Sequence, residues 1–445
     1  MSSIRVPPSA GALPSRRWQR LIAATVLALA ASAAAADLIS ILDDATGALE
    51  ARVELVLAAE QEILISTFIV GDEPFSLTAL ALLRSAARRG VDVRLLVDAQ
   101  WNKMPEAVEA HLLAEGIAVR RFHPFRLWHP LWVTKRLHDK LLIVDGDRVI
   151  LGGRNIESPY FGFGHQLERR DYVDLDLLID GEAAATARTY YLDVWDSRHT
   201  APSRARASGE ELRAAEVELD RHSAWLEQKI ASLATHGPLP KRAAIQVDGV
   251  DFLHDPARGK GSGPGVGTEL LKLFNEARES VIIESPYLIP TRKLRRALAE
   301  VLDRGVHVRI LTNSLATTDN LWAQAGYVGM RQRLVQMGVE LWEYQGPESI
   351  HSKAGVLDGQ IAVVGSFNLD PRSANLNTEV VVTLDSHPLA IEVMEFLDRQ
   401  VEQAIRIDAR GWPEGADEPY PGIPRGKVWR LRLLRLMAPL IRSQL

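Results

Sequence analysis

The chain has 445 residues, 47% of them hydrophobic and 24% charged, which suffices for two domains with cores of their own and excludes a disordered or fibrous protein. A net charge of −5 gives no global basic field for wrapping a polyanion, so a nucleic-acid partner is not expected. Cysteine is absent, which rules out disulfides, thiolate metal sites and a cysteine nucleophile.

Arg5, Arg16, Arg17 and Arg20 precede an apolar run from Leu21 to Ala36 that closes on four alanines before Asp37. Basic, apolar and small residues in that order describe an export signal over residues 1–36, cleaved or kept as an anchor. The charge bias directs the body of the chain across the membrane, so the expected location is membrane-associated on the periplasmic side of the inner membrane.

From Asp37 onward helical and strand signals alternate. Ala48 to Ala59 and Leu77 to Arg89 carry helical spacing, while Glu62 to Val70 and Val91 to Val97 read as strands. The succession returns at Ser280 to Glu284, Lys293 to Arg304 and Val306 to Leu311, and Arg89-Gly90-Val91 is echoed 215 residues later by Arg304-Gly305-Val306. The expected fold is α/β: two homologous domains, residues 37–200 and 243–410, each a mostly parallel or mixed sheet flanked by helices and packed about a pseudo-twofold axis. A charged helix and a Gly237-Pro238-Leu239-Pro240 breaker mark residues 201–242 as a connector. The glycine-rich loop Arg258 to Gly267 lacks the order of a phosphate loop, since Lys260 precedes Gly261. Residues 411–445 form a basic tail in which Trp429, Leu433, Leu436, Met437 and Leu440 recur at helical spacing among arginines. That pattern fits an interfacial helix or a docked terminal helix, with Pro439 ending it.

One string occurs twice: His138-Asp139-Lys140 with Asp145, and His351-Ser352-Lys353 with Asp358. Each leads through a second strand into a small-residue turn ending in Asn155 or Asn368, and both the histidines and the asparagines are 213 residues apart. In a strand, residues i and i+2 share a face, so each His and Lys project together. Two packed copies bring two imidazoles and two ammonium groups to one pocket, which suits a phosphodiester. The lysines, with the amides of Asn155 and Asn368, hold the non-bridging oxygens. One histidine attacks phosphorus while the other protonates the leaving alcohol, and no metal or cofactor is needed.

The ionisable residues of the strings, His138, Lys140, Asp145, His351, Lys353 and Asp358, form the catalytic set. Within it, Asp145 and Asp358 stand seven residues from their histidines, on the opposite face of a regular strand, so a structural part is expected for them. A neutral, oriented imidazole needs a carboxylate or carbonyl on its other nitrogen. Asp171 and Glu379 occupy comparable places in the copies and are the candidates, with Asp174 and Asp176 as rivals in the first. The aromatic stretch Phe122 to Arg136, with Phe125, Trp128 and Trp132, reads as lipid contact or as a buried cluster.

The two strings with their Gly-x-x-Asn followers resemble the phospholipase D superfamily over roughly residues 40 to 400. Tyr160-Phe161-Gly162, Ser285-Pro286-Tyr287, Asn313-Ser314-Leu315-Ala316 with Thr318-Asp319, and Phe367-Asn368-Leu369-Asp370-Pro371-Arg372-Ser373 through Glu379 are similar to the bacterial cardiolipin synthase C type. The resemblance implies a phosphatidyl-histidine intermediate on His138, with His351 as acid and base. It also implies transfer to phosphatidylglycerol, with phosphatidylethanolamine as a further substrate and a membrane surface as partner. Hydrolysis to phosphatidic acid and a phosphodiesterase or nuclease activity use the same residues and stay open. This chain departs from the type at Gln324, where the pattern carries a His before Ala325-Gly326-Tyr327.

Overall fold

In the computed structural model the described residues are 36–125, 127, 134–234, 243–257 and 264–438. The export-signal residues 1–35, together with Trp128, Trp132, Pro238, Pro240, Lys260, and Pro439 onward, lie outside them.

The alternating elements build a nine-stranded sheet in the order Ile245–Val247, Asp37–Leu42, Asp176–Asp180, Arg148–Gly152, Leu141–Val144, Glu62–Thr67, Asp92–Asp98, Ala118–Phe122 and Thr200–Pro202. An eight-stranded sheet repeats that order from its second strand on: Val250–His254, Val380–Asp385, Ile361–Gly365, Ala354–Leu357, Ser280–Glu284, His307–Asn313, Glu340–Tyr344 and Ala404–Arg406. Glu62–Thr67, Asp92–Asp98 and Ala118–Phe122 run parallel because the helices Pro74–Arg88 and Glu106–Ala114 carry the chain back between them. Ser280–Glu284, His307–Asn313 and Glu340–Tyr344 are parallel in the same way. The remaining pairings of both sheets are antiparallel, so the sheets are mixed rather than mostly parallel. The cause is local. Asp145 and Gly146 turn at φ 51° and 79°, and Asp358 and Gly359 at φ 52° and 64°, and such turns join hairpin neighbours.

Ile245–Val247 follows the connector yet pairs with Asp37–Leu42, so the start of the segment assigned to the second domain completes the first sheet. The connector helix Gly209–Ala234 lies on the first half, where Asp220 accepts from the buried Arg84 at 2.6 Å and His222 meets Thr78 at 2.9 Å.

Leu137, Ile143, Leu151, Leu177 and Tyr190 of the first half share one apolar cluster with Ile282, Val356, Val364 and Phe396 of the second. Each such side chain contributes about 1.5–3 kcal/mol on full burial, so the halves stabilise each other. Two backbone links cross between them: Tyr172–Val173 pairs in parallel with Ser349–Ile350, and Leu137 bridges to Thr378. Both links lie beside the paired strings.

Candidate active site

His138 and Lys140 lie just before the strand Leu141–Val144, and His351 and Lys353 stand likewise before Ala354–Leu357, so neither pair is within the expected strand. All four are buried, with His138 8% and His351 5% exposed. His138 Nδ1 meets Glu379 Oε2 at 2.9 Å, and His351 Nδ1 meets Asp174 Oδ2 at 2.8 Å. Each carboxylate comes from the other half of the chain. With Nδ1 held this way, Nε2 is the nitrogen of each ring left to react.

Strand register explains the matched carboxylates. Gly152 pairs with Asp176 and Gly365 with Val381, so Asp174 and Glu379 occupy the same place two residues earlier. A Cβ on Gly153 would lie 2.1 Å from Asp174 Oδ1, so a glycine is required for that carboxylate to fit. Ser366 stands at the equivalent place in the second half, and its hydroxyl donates to Glu379 Oε2 at 2.5 Å.

Lys140 Nζ donates to His138 O at 2.6 Å, and Lys353 Nζ donates to His351 O. Lys353 Nζ also lies 2.8 Å from His351 Nδ1. With the Nδ1 proton donated to Asp174, that proximity acts through charge. Burial and the second ammonium lower the pKa of Lys140 to about 7, and burial lowers that of Lys353 to about 8. Burial and Lys353 bring His351 down to about 4 against the pull of Asp174. Burial, then Lys140 and Lys353, puts His138 well below its usual range, with Arg372 adding to the effect. Burial alone would raise Asp174, but the positive charges around it win and hold it low. Near neutral pH both imidazoles are therefore uncharged.

The surroundings of the two rings differ. His138 has the Phe68 ring at 5.3 Å, and Phe68 in turn has the exposed Trp101 at 5.8 Å. His351 is bordered by phenols: Tyr160 Oη is 3.4 Å from Nε2, and the Tyr172 ring centroid is 5.1 Å away. The His138 ring thus has apolar neighbours and the His351 ring has phenolic hydroxyls.

Several expected residues land elsewhere. Asp171 is not on a histidine: its Oδ1 accepts from Gly164 N at 2.6 Å, and the rival Asp174 takes the place beside His351. Glu379 does meet a histidine, but the one in the first string. Asp176 accepts from Gly153 N, Arg154 and Arg52 and braces the turn. Asn155 accepts from Ile69 N at 3.3 Å and donates to Tyr160 Oη at 2.9 Å, so its amide holds a phenol beside His351. Asn368 Oδ1 is buried without a hydrogen-bond partner among the described residues. Asp145 accepts from the amides of Glu60, Gln61 and Glu62, and Asp358 from those of Arg278, Glu279 and Ser280. Neither aspartate is at the histidines, and each clamps a turn to the start of the neighbouring strand. Gln324 is buried in the helix Leu321–Val328, with its Nε2 unpartnered among the described residues. Sequence reasoning assigned no part to Tyr160, Tyr172 or Phe68. Tyr160 had one available signal, since it follows Asn155 by five residues in the string shared with the cardiolipin synthase C type.

A family model described as "Cardiolipin synthase, PLD-like domain" matches this chain twice, at residues 53–195 and 270–402. Cardiolipin synthase C of Escherichia coli is 30% identical over 418 residues, covering 83% of this chain and 86% of that protein. Cardiolipin synthase A of Pseudomonas aeruginosa is 27% identical over 410 residues, covering 91% of this chain and 73% of that one. Among solved structures, phosphatidylserine synthase of Haemophilus influenzae superposes with a TM-score of 0.68 at 16% identity, over 92% of this chain and 97% of that chain, a likeness of fold.

Proposed function

The chain belongs to the cardiolipin synthase, PLD-like domain family, and from that membership we propose that it moves the phosphatidyl group of phosphatidylglycerol or a related phospholipid onto a hydroxyl of a second phosphatidylglycerol, making cardiolipin. The observation that carries this reading is the pair of buried, neutral imidazoles, each oriented through Nδ1 by a carboxylate and accompanied by a lysine.

His138 Nε2 attacks phosphorus, forming a P–N bond as the P–O bond to the headgroup alcohol breaks. His351 Nε2 delivers a proton to the departing oxygen. A phosphodiester lying between the lysines brings negative charge beside His351, which raises its pKa and lets it carry that proton. Lys140, Lys353 and the amide of Asn368 take the charge growing on the non-bridging oxygens. In the second half-reaction an acceptor hydroxyl gives its proton back to His351 and attacks phosphorus, and the P–N bond breaks. Two features favour His138 as nucleophile. The leaving headgroup is polar and suits the phenol-lined side at His351, whereas Phe68 and Trp101 give the His138 side an apolar wall.

A membrane surface fits the same reading. The helix Arg425–Met437 seats Leu431 in the second core and exposes Trp429, Leu433, Leu436 and Met437 among its arginines, a face of the kind that suits an interface. No helix among the described residues is long and apolar enough to cross a membrane.

The test is purified protein with labelled phosphatidylglycerol, with and without phosphatidylethanolamine, followed by product identification. Cardiolipin with release of glycerol is expected. Phosphatidic acid as sole product would sink the synthase reading, and cleavage of DNA without lipid turnover would replace it by a nuclease.

A further inference from the structure

We propose that Asp319 reads the headgroup of the phospholipid, favouring one whose terminus donates hydrogen bonds. This inference rests on the transfer chemistry proposed above.

In-line displacement at phosphorus puts the leaving oxygen opposite the attacking nitrogen. With His138 attacking, the headgroup leaves on the side of His351, and the acceptor hydroxyl enters there. On that side Tyr172 Oη donates to Asp319 Oδ2 at 2.9 Å, and Tyr287 Oη lies 3.0 and 3.1 Å from the two carboxylate oxygens. Arg169 Nη2 donates to Tyr172 Oη at 3.2 Å, which fixes that phenol's proton on Asp319. Tyr172 belongs to the first half and Tyr287 and Asp319 to the second, so the interface that joins the histidines also sets this carboxylate. Its charge reaches the reacting groups: burial and Lys353 lower His351, and Asp319 is among the charges opposing them.

Asp319 is exposed while Tyr172, which it holds, is buried against His351, so the carboxylate is a fixed surface group next to the phenol that borders that ring. An ionised carboxylate accepts about four hydrogen bonds, and two phenols leave capacity over. An acceptor-only anion beside lysines meant for phosphate repels the phosphate itself. What it can hold is a donor next to the phosphate. The terminal hydroxyls of a glycerol headgroup and the ammonium of ethanolamine both qualify. A choline or methyl headgroup has no such donor.

The experiment compares kcat/KM on phosphatidylglycerol, phosphatidylethanolamine, phosphatidylcholine and phosphatidylmethanol in mixed micelles, for the parent chain, Asp319→Ala, Asp319→Glu and Tyr287→Phe. The parent is expected to favour at least one of the first two over the last two. Preference for phosphatidylglycerol identifies a hydroxyl as the donor, and preference for phosphatidylethanolamine identifies the ammonium. Asp319→Ala should cut that preference ratio about tenfold, about what one hydrogen bond to a charged group supplies. Asp319→Glu should restore part of it. Tyr287→Phe, which removes an anchor and keeps the carboxylate, should lower it less and keeps the proposal testable if Asp319→Ala does not fold. A ratio unchanged in both Asp319→Ala and Tyr287→Phe overturns the proposal, as does a parent that turns over all four lipids equally. A parent that turns over none of them refutes the transfer reading instead.

Discussion

Glu379 belongs to the second half by sequence and to the first histidine by contact. Under the proposed roles, Glu379→Gln should slow formation of a phosphatidyl adduct on His138 by about 10²- to 10⁴-fold, the range found when an orienting carboxylate or general base is lost. Asp174→Asn should slow both formation and resolution of the adduct, because His351 serves as acid in the first half-reaction and as base in the second. Single-turnover mixing with labelled phosphatidylglycerol checks this, and normal adduct formation in Glu379→Gln would reverse the assignment. The pH profile of kcat/KM follows from the same residues. It should fall across about 7 to 8 as Lys140 and Lys353 lose their protons. Because the lysines interact, the apparent values belong to the pair. Activity level up to the ordinary lysine range of about 10.4 would remove the charged lysines from the chemistry. The histidines and lysines were legible because they repeat at one offset. Asp174 was not separable from Asp171: both precede the strand Asp176–Asp180, and only the pairing of Gly152 with Asp176 distinguishes them.

At the scale of elements, the aspartate that ends each string belongs to a turn. The expectation of a structural part for Asp145 assumed a strand continuing through it, but the strand ends at Val144 and Asp145 adopts φ 51°. Its three amide bonds outweigh the effect of burial and lower its pKa. A depressed carboxylate pKa means that the stabilisation is present above the ordinary value and is lost as pH falls through the folded one. Asp145→Asn should therefore cost about 1–3 kcal/mol, with a lower Tm at neutral pH and a smaller deficit in acid, while kcat stays close to the parent's. Loss of kcat with unchanged Tm would return Asp145 to the chemistry. The helix–strand alternation was legible from apolar spacing. The predominance of antiparallel pairing was not, because it depends on turn dihedrals that Asp-Gly suggests only locally.

Under the proposed function two parts of the molecule would meet a lipid: the paired histidines, and the helix Arg425–Met437 with Trp429 66% and Leu436 77% exposed. That helix packs near the site, with Lys427 Nζ 3.5 Å from Ala316 O, three residues before Asp319. Replacing Arg430, Arg432 and Arg435 by Glu should weaken binding to anionic vesicles more than tenfold, since each basic residue near such a surface contributes about 1 kcal/mol. Co-sedimentation measures this, and unchanged binding would assign the helix to packing alone. The duplication was readable from residue offsets, but the crosswise exchange of carboxylates required the packed halves, because nothing local marks which copy a residue serves. The short ladder of Tyr172–Val173 on Ser349–Ile350 adds a matter of timing. Asp174 follows Val173 and His351 follows Ile350, and His351 N donates to Val173 O at 2.7 Å, so closing that ladder seats the histidine on its carboxylate. A nascent chain with only its first half made carries a complete His138-Lys140 string but lacks Glu379, the carboxylate on that ring. Under the proposed function, transfer chemistry therefore waits until both halves are made and packed, since Glu379 and His351 arrive with the second.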